Sequence, residues 1–551
     1  MEKTTYVLEK NKLKEVIDLY KEAVEDYEFK LKKLPDLYKF DVNLLSNFTT
    51  QYKNKINVFK KSMMKPYFAR IDFKANDENS KNEFYIGKVG LYDENNKIVT
   101  LDWRSPMASI YYDSNVGKTS YLAPEGKIEG ELFLKRQYDI SDGVLNSFQD
   151  VDTVSNDEIL KPYLGVSADN RLKNIVATIQ SEQNKIIRKK INNNLIIQGV
   201  AGSGKTTVAL HRIAYLVYNN MRLIKPEQYM VIGPNKFFLN YISNVLPDLD
   251  VSDVSQMTYD ELVNDYIEEA FSLNDPSDKL NISIEQKETL DYCKLKTTLK
   301  YKQMLDEYML HYDKTIVPKK DFIVRNFLII PRTIIKEIYD EIDKIDYPNI
   351  KSRVERTCFV ISKYIENNED VINSKINEQY YKEAEKCRDN SKAIEKLQKD
   401  RDFVKKELNN YFNQSLKKYF SISKIRVSQV YASFIKNIEK YISDEYLYLI
   451  KQLKNETILN IKNKQYDFED LAALLYIKYI LTGTGDYSKY RHVVIDESQD
   501  LGEFNFFVLK EIMKNSTFSI FGDLAQSLYD YRSIGSWDDI VETVFQNNCE
   551  I

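Results

Sequence analysis

Apolar side chains recur every three or four positions near the N-terminus, at Leu13, Val16, Tyr20, Val24, Tyr27, Leu31 and Leu34. That spacing draws one stripe along one face of a helix. Pro35 and Asp36 are expected to break it, because proline cannot donate to the helical ladder. A second stripe follows at Leu45, Phe48, Tyr52, Ile56, Phe59 and Met63. Two striped helices across a short polar turn predict an antiparallel hairpin over residues 1–65, either projecting or lying flat on the next domain.

From Pro66 the period falls to two. YFARIDF, EFYIGKVGLY, KIVTLDW, SIYYDS, TSYLAP and GELFLKRQYDI alternate or cluster β-formers, with DENN, SNVG and PEGK as turns between several of them. Residues 66–165 therefore read as a β-rich module of antiparallel hairpins packed on the following domain. After that, short apolar runs alternate with helical patterns, as in a buried parallel sheet. The runs are LIIQG (195–199), YMVIG (229–233), HVVID (492–496) and FSIFG (518–522). Between the second and third, residues 261–450 are charged, poor in glycine and helical in period. The expected fold class is α/β. A parallel-sheet domain, in parts 166–260 and 451–551, is split by a large helical insertion and preceded by the hairpin and the β-rich module.

Composition narrows the class. The 551 residues are 43% hydrophobic and 29% charged, ordinary for a water-exposed globular chain of three or four domains. No run approaches the roughly 18 apolar residues of a membrane helix, and MEKTTYVLEKNKLKE has no signal-peptide core. Cys293, Cys358, Cys387 and Cys549 form no CxxC pair, and His211, His311 and His492 are scattered, which argues against a zinc site and for reduced thiols in a cytoplasm. The net charge of -4 argues mildly against a protein that grips DNA along a basic groove, while leaving room for a local basic patch.

The chemistry concentrates in a few stretches. GVAGSGKT (199–206) fits G-x-x-x-x-G-K-[ST] between an expected strand and an expected helix. Backbone N–H groups of such a loop converge on phosphate at a helix N-terminus. The nucleotide-binding set is therefore Gly199, Val200, Ala201, Gly202, Ser203, Gly204, Lys205, Thr206 and Thr207. Lys205 would reach the β- and γ-phosphates and Thr206 would hold Mg²⁺. VVIDESQD (493–500) offers Asp496 as a second Mg²⁺ group and Glu497 to polarise the attacking water. FGDLAQS (521–527) places Asp523 and Gln526 after the next strand, where the glutamine can contact the γ-phosphate or orient the water. Gln183 lies 22 residues before Lys205, and its carboxamide can pair with both N6 and N7 of adenine.

In order and spacing these stretches resemble superfamily 1 helicases of the UvrD/Rep type. Gln183 matches the Q motif, GVAGSGKTT motif I, IDESQD motif II and GDLAQS motif III. The long N-terminal extension, YIGKVGL with TLDWRSPMASIYY, ALHRIAYLVY and VIGPNKFFLNYISNVLP look like the HelD, or helicase IV-like, branch. The resemblance implies a P-loop RecA-like sheet, ATP and Mg²⁺ as ligands, and RNA polymerase core as partner, released from nucleic acid and recycled. The hairpin would enter the polymerase secondary channel and the insertion the primary channel. Asp36 and Asp41 at the hairpin turn would either approach the polymerase active-site Mg²⁺ or be ordinary turn acids. The rival expectation is a 3'-5' DNA helicase acting in repair, with Tyr529 and Tyr531 stacking on bases or packing in the core. The arginine-bearing motifs IV–VI of such enzymes are not recognised in these residues. The second RecA-like half is thus expected to be missing here, and these residues alone to hydrolyse ATP negligibly.

Overall fold

The computed structural model describes residues 2–151, 179–279, 290–342, 344–421 and 425–551. The expected boundary at 165/166 lies outside them. The chain divides into two compact units. The first comprises Met1–Gln256, His492–Asp496 and Thr517–Phe521, and the second Met257–Arg491, Glu497–Ser516 and Gly522–Ile551.

In the first unit, helices Glu2–Leu37 and Val42–Ser62 pair as a hairpin. The first helix runs through Pro35 instead of breaking there. Only two residues follow the proline, so its missing N–H removes a single bond from the last turn. Asp41 caps the second helix by accepting from the Leu44 N–H at 3.0 Å. Both stripes face inward, and the Tyr20 and Phe59 rings meet edge to face at 5.6 Å. Val16, Tyr20, Tyr67, Tyr85, Tyr138 and Ile140 join one core that seats the hairpin base on the β-sheet. A buried carboxylate pins the same base. Glu9 accepts from Arg136 Nη1 at 2.6 Å, Arg70 Nη1 at 3.1 Å and the Tyr138 hydroxyl at 2.8 Å. At the other end of the hairpin Leu37, Phe40 and Val42 are 71%, 97% and 76% exposed, so the turn is apolar as well as acidic.

The sheet beneath has seven strands, in the order Leu91–Tyr92, Ile98–Asp102, Asn82–Gly87, Ala69–Ala75, Gly126–Ser141, Gly117–Ala123, with Val144–Asp150 also on the long strand. It is not wholly made of antiparallel hairpins, because Asn82–Gly87 and Ile98–Asp102 run parallel. SIYYDS is also not a strand. Ser109–Asp113 is a short helix with Ile110, Tyr111 and Tyr112 all buried. Three consecutive buried side chains suit a one-turn helix wedged in a core better than the alternating faces of an edge strand.

The second sheet of this unit has five strands, in the order Ser255–Thr258, Tyr229–Gly233, His492–Ile495, Thr517–Gly522, Leu195–Gln198. His492–Ile495 is parallel to both neighbours, and this is the RecA-like sheet. Its helix Lys205–Asn220 buries Val208, Leu210, Ile213 and Leu216 in one cluster with Phe68, Ile71, Trp103 and Tyr111 of the β-rich module. Each such side chain contributes about 1.5–3 kcal/mol on burial. Polar clamps reinforce the joint. The Arg188 guanidinium donates to the Trp103 and Ser105 carbonyls at 2.6 and 3.0 Å.

The second unit is mainly helical. Its helices include Tyr259–Ile267, Leu299–Asp313, Ile350–Asn367, Glu369–Lys386, Ser391–Leu408, Val427–Lys436, Ile450–Asn463 and Leu471–Thr482. The division expected at residue 450 falls at the start of Ile450–Asn463, inside this unit. Leu471–Thr482 packs on both Tyr259–Ile267 and Val427–Lys436. Among the described residues two short β-pairs interrupt the helices. Ser272–Leu273 runs parallel to Gln465–Tyr466, and Phe322–Val324 with Phe327–Ile330 forms a hairpin. Arg325 and Asn326 turn that hairpin with positive φ at both positions, the handedness that matches strand twist. None of the described helices is long and apolar enough to cross a membrane.

Candidate nucleotide site

In the first unit, the strand Leu195–Gln198 feeds a loop that opens the helix Lys205–Asn220. Gly202 and Gly204 hold φ of 75° and 84°, a backbone that an L side chain resists. This turns successive N–H groups toward one point at the helix start. The Lys205 side chain folds back over the loop, donating to the Gly199 and Val200 carbonyls at 2.7 and 3.3 Å. Thr206 follows on the helix, and its hydroxyl donates to Asp496 Oδ2 at 2.7 Å across 290 residues of sequence. Asp496 is buried and continues the central strand, its N–H donating to the Ile232 carbonyl at 3.1 Å.

A hydroxyl and a carboxylate in contact beside a glycine-rich helix N-terminus fit Mg²⁺ and a polyphosphate. Both oxygens are hard donors, and Mg²⁺ takes few protein ligands and fills its shell with phosphate oxygens and water.

Gln183 lies at this loop, on the short helix Ser181–Ile187. Its Nε2 donates to the Ser203 carbonyl at 3.1 Å and its Oε1 accepts from the Gln180 N–H at 3.2 Å. The carboxamide expected to read adenine thus has partners at both ends within the protein. The Q-motif helix is fixed from below by residues that sequence reasoning did not single out. Asn184 donates to Asp113 at 2.8 Å, and burial raises the Asp113 carboxyl above its ordinary value. Arg212, fully buried, donates to the Ile186 and Lys189 carbonyls and to the Ser519 hydroxyl, each at 2.8 Å. Burial lowers this guanidinium to about 10. An arginine inside the apolar run ALHRIAYLVY was the available signal, since a lone cation on a buried face must serve carbonyls. One residue earlier, His211 Nδ1 donates to the Thr207 carbonyl at 2.7 Å and its ring meets Trp103 edge to face at 5.4 Å. Burial holds this imidazole down at about 4.

The second unit carries the other expected catalytic groups. Glu497, the next residue after Asp496, has a left-handed backbone with φ of 51°. Its Oε2 accepts from Gln499 Nε2 at 2.8 Å, and Gln499 Oε1 accepts from the Asp523 N–H at 3.1 Å. Asp523 Oδ2 in turn accepts from the Gln526 carboxamide nitrogen. The unit therefore brings Glu497, Asp523 and Gln526 into one polar chain through Gln499, which lay inside a quoted motif without an assigned role. Tyr531 is only 9% exposed, so of its two expected readings this arrangement favours core packing over base stacking. The Arg532 guanidinium lies 3.8 and 4.2 Å from the Tyr529 and Phe468 ring centres.

Comparison with known proteins agrees with this geometry. A family model described as DNA helicase IV HelD, N-terminal domain, matches residues 7–159. One described as UvrD/REP helicase N-terminal domain matches residues 179–535, more than half of the chain. No curated protein matches significantly. With the Q motif, P-loop, DExQD and GDxxQ segments all within the second match, the chain belongs to the UvrD/REP helicase family and is of the HelD type.

Proposed function

We propose that this helicase-like ATPase binds bacterial RNA polymerase core and promotes its release from nucleic acid and its recycling, in a cytoplasm and in an ATP-dependent manner in the intact protein. The observation that carries this reading is the N-terminal hairpin. Its base is fixed by the Glu9 cluster and its turn exposes Leu37, Phe40 and Val42 beside Asp36 and Asp41. A rigid arm with an apolar, acidic end suits insertion into a narrow protein channel and is not needed for tracking along DNA. The hairpin would enter the secondary channel, and the helical insertion the primary channel.

In the ATP site, backbone N–H groups of residues 199–206 would bind the phosphates, and Lys205 would exchange its carbonyl partners for β- and γ-phosphate oxygens. Thr206 and Asp496 would hold Mg²⁺, which when bound draws charge off the phosphate oxygens. Gln183 would give up one of its present partners to meet adenine. Glu497 would hold and deprotonate the attacking water, and Gln526, whose amide nitrogen has a second hydrogen, would orient that water or contact the γ-phosphate. A transition-state arginine contributes about 10³–10⁵ in rate. With no residue assigned to that role here, these 551 residues alone would turn over slowly.

The test is co-elution with purified RNA polymerase core. The triple variant Leu37→Ser, Phe40→Ser, Val42→Ser should weaken it while leaving the fold intact, since all three side chains are solvent-exposed. Unchanged co-elution would remove the hairpin from the mechanism. Tight, salt-sensitive binding to single-stranded DNA without polymerase would favour the DNA-helicase reading instead. Steady-state turnover of about 1 per second or faster, abolished by Glu497→Gln, would refute slow hydrolysis.

A further inference from the structure

We infer that Gln499 is a positioning residue for ATP hydrolysis, a single carboxamide that ties the Glu497 carboxylate to the Asp523–Gln526 pair. The inference rests on the catalytic reading of Glu497 given above. Gln499 is 4% exposed and Asp523 2% exposed, so their polar groups are largely withdrawn from water and depend on each other. The two ends of the carboxamide face partners of opposite kind. A carboxylate oxygen at 2.8 Å can only accept, and a backbone N–H at 3.1 Å can only donate. That polarity fixes which end is nitrogen and which is oxygen.

No other side chain of similar size meets both demands. Glutamate keeps the acceptor but sets a second carboxylate against Glu497. Methionine keeps the shape and loses both bonds. Asparagine is one methylene short.

Two backbone features make Glu497 dependent on such a tether. Its φ of 51° is a conformation few non-glycine residues adopt, and it stands just before the one-turn helix Ser498–Asp500. The far end of the link is rigid for a separate reason. Gly522 is pressed against the motif II turn so closely that an added Cβ would come within 2.9 Å of Ser498 Oγ and 2.8 Å of Trp537 Cζ2. That approach sets the Asp523 N–H in front of Gln499. Beyond it, Asp523 Oδ1 accepts from the Ala525 N–H at 3.2 Å while Oδ2 takes the Gln526 amide. The groups assigned to the water and to the γ-phosphate therefore move as one piece, with Gln499 as the joint.

The experiment uses the full 551-residue chain with two readouts. Residue-resolved hydrogen exchange at the Asp523 amide tests the bond itself. Gln499→Met should accelerate it about tenfold or more, and Gln499→Glu, which keeps the acceptor, should leave it near the parent rate. Single-turnover hydrolysis of radiolabelled ATP with Mg²⁺, with protein in excess, tests the role. Both variants should lower the rate constant about 10- to 100-fold, the usual effect of removing a supporting hydrogen bond, with the ATP Kd unchanged. The exchanged pair Glu497→Gln with Gln499→Glu should keep Asp523 protection and remain inactive. Parent-like hydrolysis by Gln499→Glu, parent-like exchange in Gln499→Met, or a loss of ATP affinity matching the loss of rate would each overturn the inference. Failure of the underlying catalytic reading has its own signature. Glu497→Gln would then hydrolyse ATP as fast as the parent, whatever Gln499 does.

Discussion

Acid should weaken the nucleotide-binding unit through two buried histidines, before carboxylates begin to titrate. His211 lies on the P-loop helix, its pKa held at about 4 by burial against an ordinary 6.5. His492 starts the strand that ends at Asp496. It bonds the Thr517 and Ser519 hydroxyls at 2.8 and 3.1 Å, and burial lowers it well below 6.5. Both are neutral in the folded unit, while the unfolded chain protonates them near 6.5. Stability is therefore whole above that pH and is lost as pH falls toward 4, because the unfolded state binds the extra protons. At about pH 5.5 the linkage relation gives a loss of about 1.4 kcal/mol for His211, and His492 adds to it in the same direction. That is a large share of a typical domain stability of about 5–15 kcal/mol.

The chain supplies its own probe for this effect. It has two tryptophans, and the Trp103 ring meets His211 itself edge to face. In a Trp537→Phe background, urea unfolding followed by Trp103 fluorescence at about pH 7.5 and about pH 5.5 should show a loss of at least about 1.4 kcal/mol. Adding His211→Gln, which can still donate to the Thr207 carbonyl, should reduce the loss by about 1.4 kcal/mol. A parent loss below about 1 kcal/mol, or the same pH dependence with and without His211, would refute the argument.

Other variants probe the remaining links. Thr206→Val keeps the shape and removes the hydroxyl that contacts Asp496, so calorimetry should find ATP affinity reduced in Mg²⁺ and little changed in EDTA. Lys205→Ala should weaken ATP binding about a hundredfold, the value of one charge-assisted bond of about 3 kcal/mol. Glu9→Leu removes the buried carboxylate shared by the two guanidiniums, leaving Arg136 with Asp150 and Arg70 with Asp72, Glu83 and the Tyr85 hydroxyl. It should destabilise the first unit by about 3–5 kcal/mol in denaturant unfolding. Gly522→Ala forces a methyl against Trp537 and Ser498 and should destabilise the second unit by about 1–3 kcal/mol, read as a lower thermal midpoint.

Sequence alone determined the parts that depend on short-range physics. Helical and strand periods follow from backbone geometry within a few residues, so the N-terminal stripes, the buried runs and the P-loop context were legible. The phosphate loop was legible because its glycines, Lys205 and Thr206 are contiguous. Short segments with competing signals were not. Pro35 could be absorbed because it fell in a last turn, and SIYYDS became a helix because a core was available on every side.

What only the tertiary structure decided is partnership between residues far apart in the chain. Thr206 meets Asp496 across 290 residues, Arg212 meets Ser519 across 307, and Glu9 gathers cations from two strands of the sheet. Such pairs leave no local pattern, because any residue able to donate would read the same. The use of both ends of Gln183, the inward turn of Tyr531 and the bridge made by Gln499 belong to this class. Motifs record which groups the chemistry needs. Which neighbour satisfies each buried donor and acceptor is settled only when the sheets close, because a buried polar atom must then find its partner within the protein.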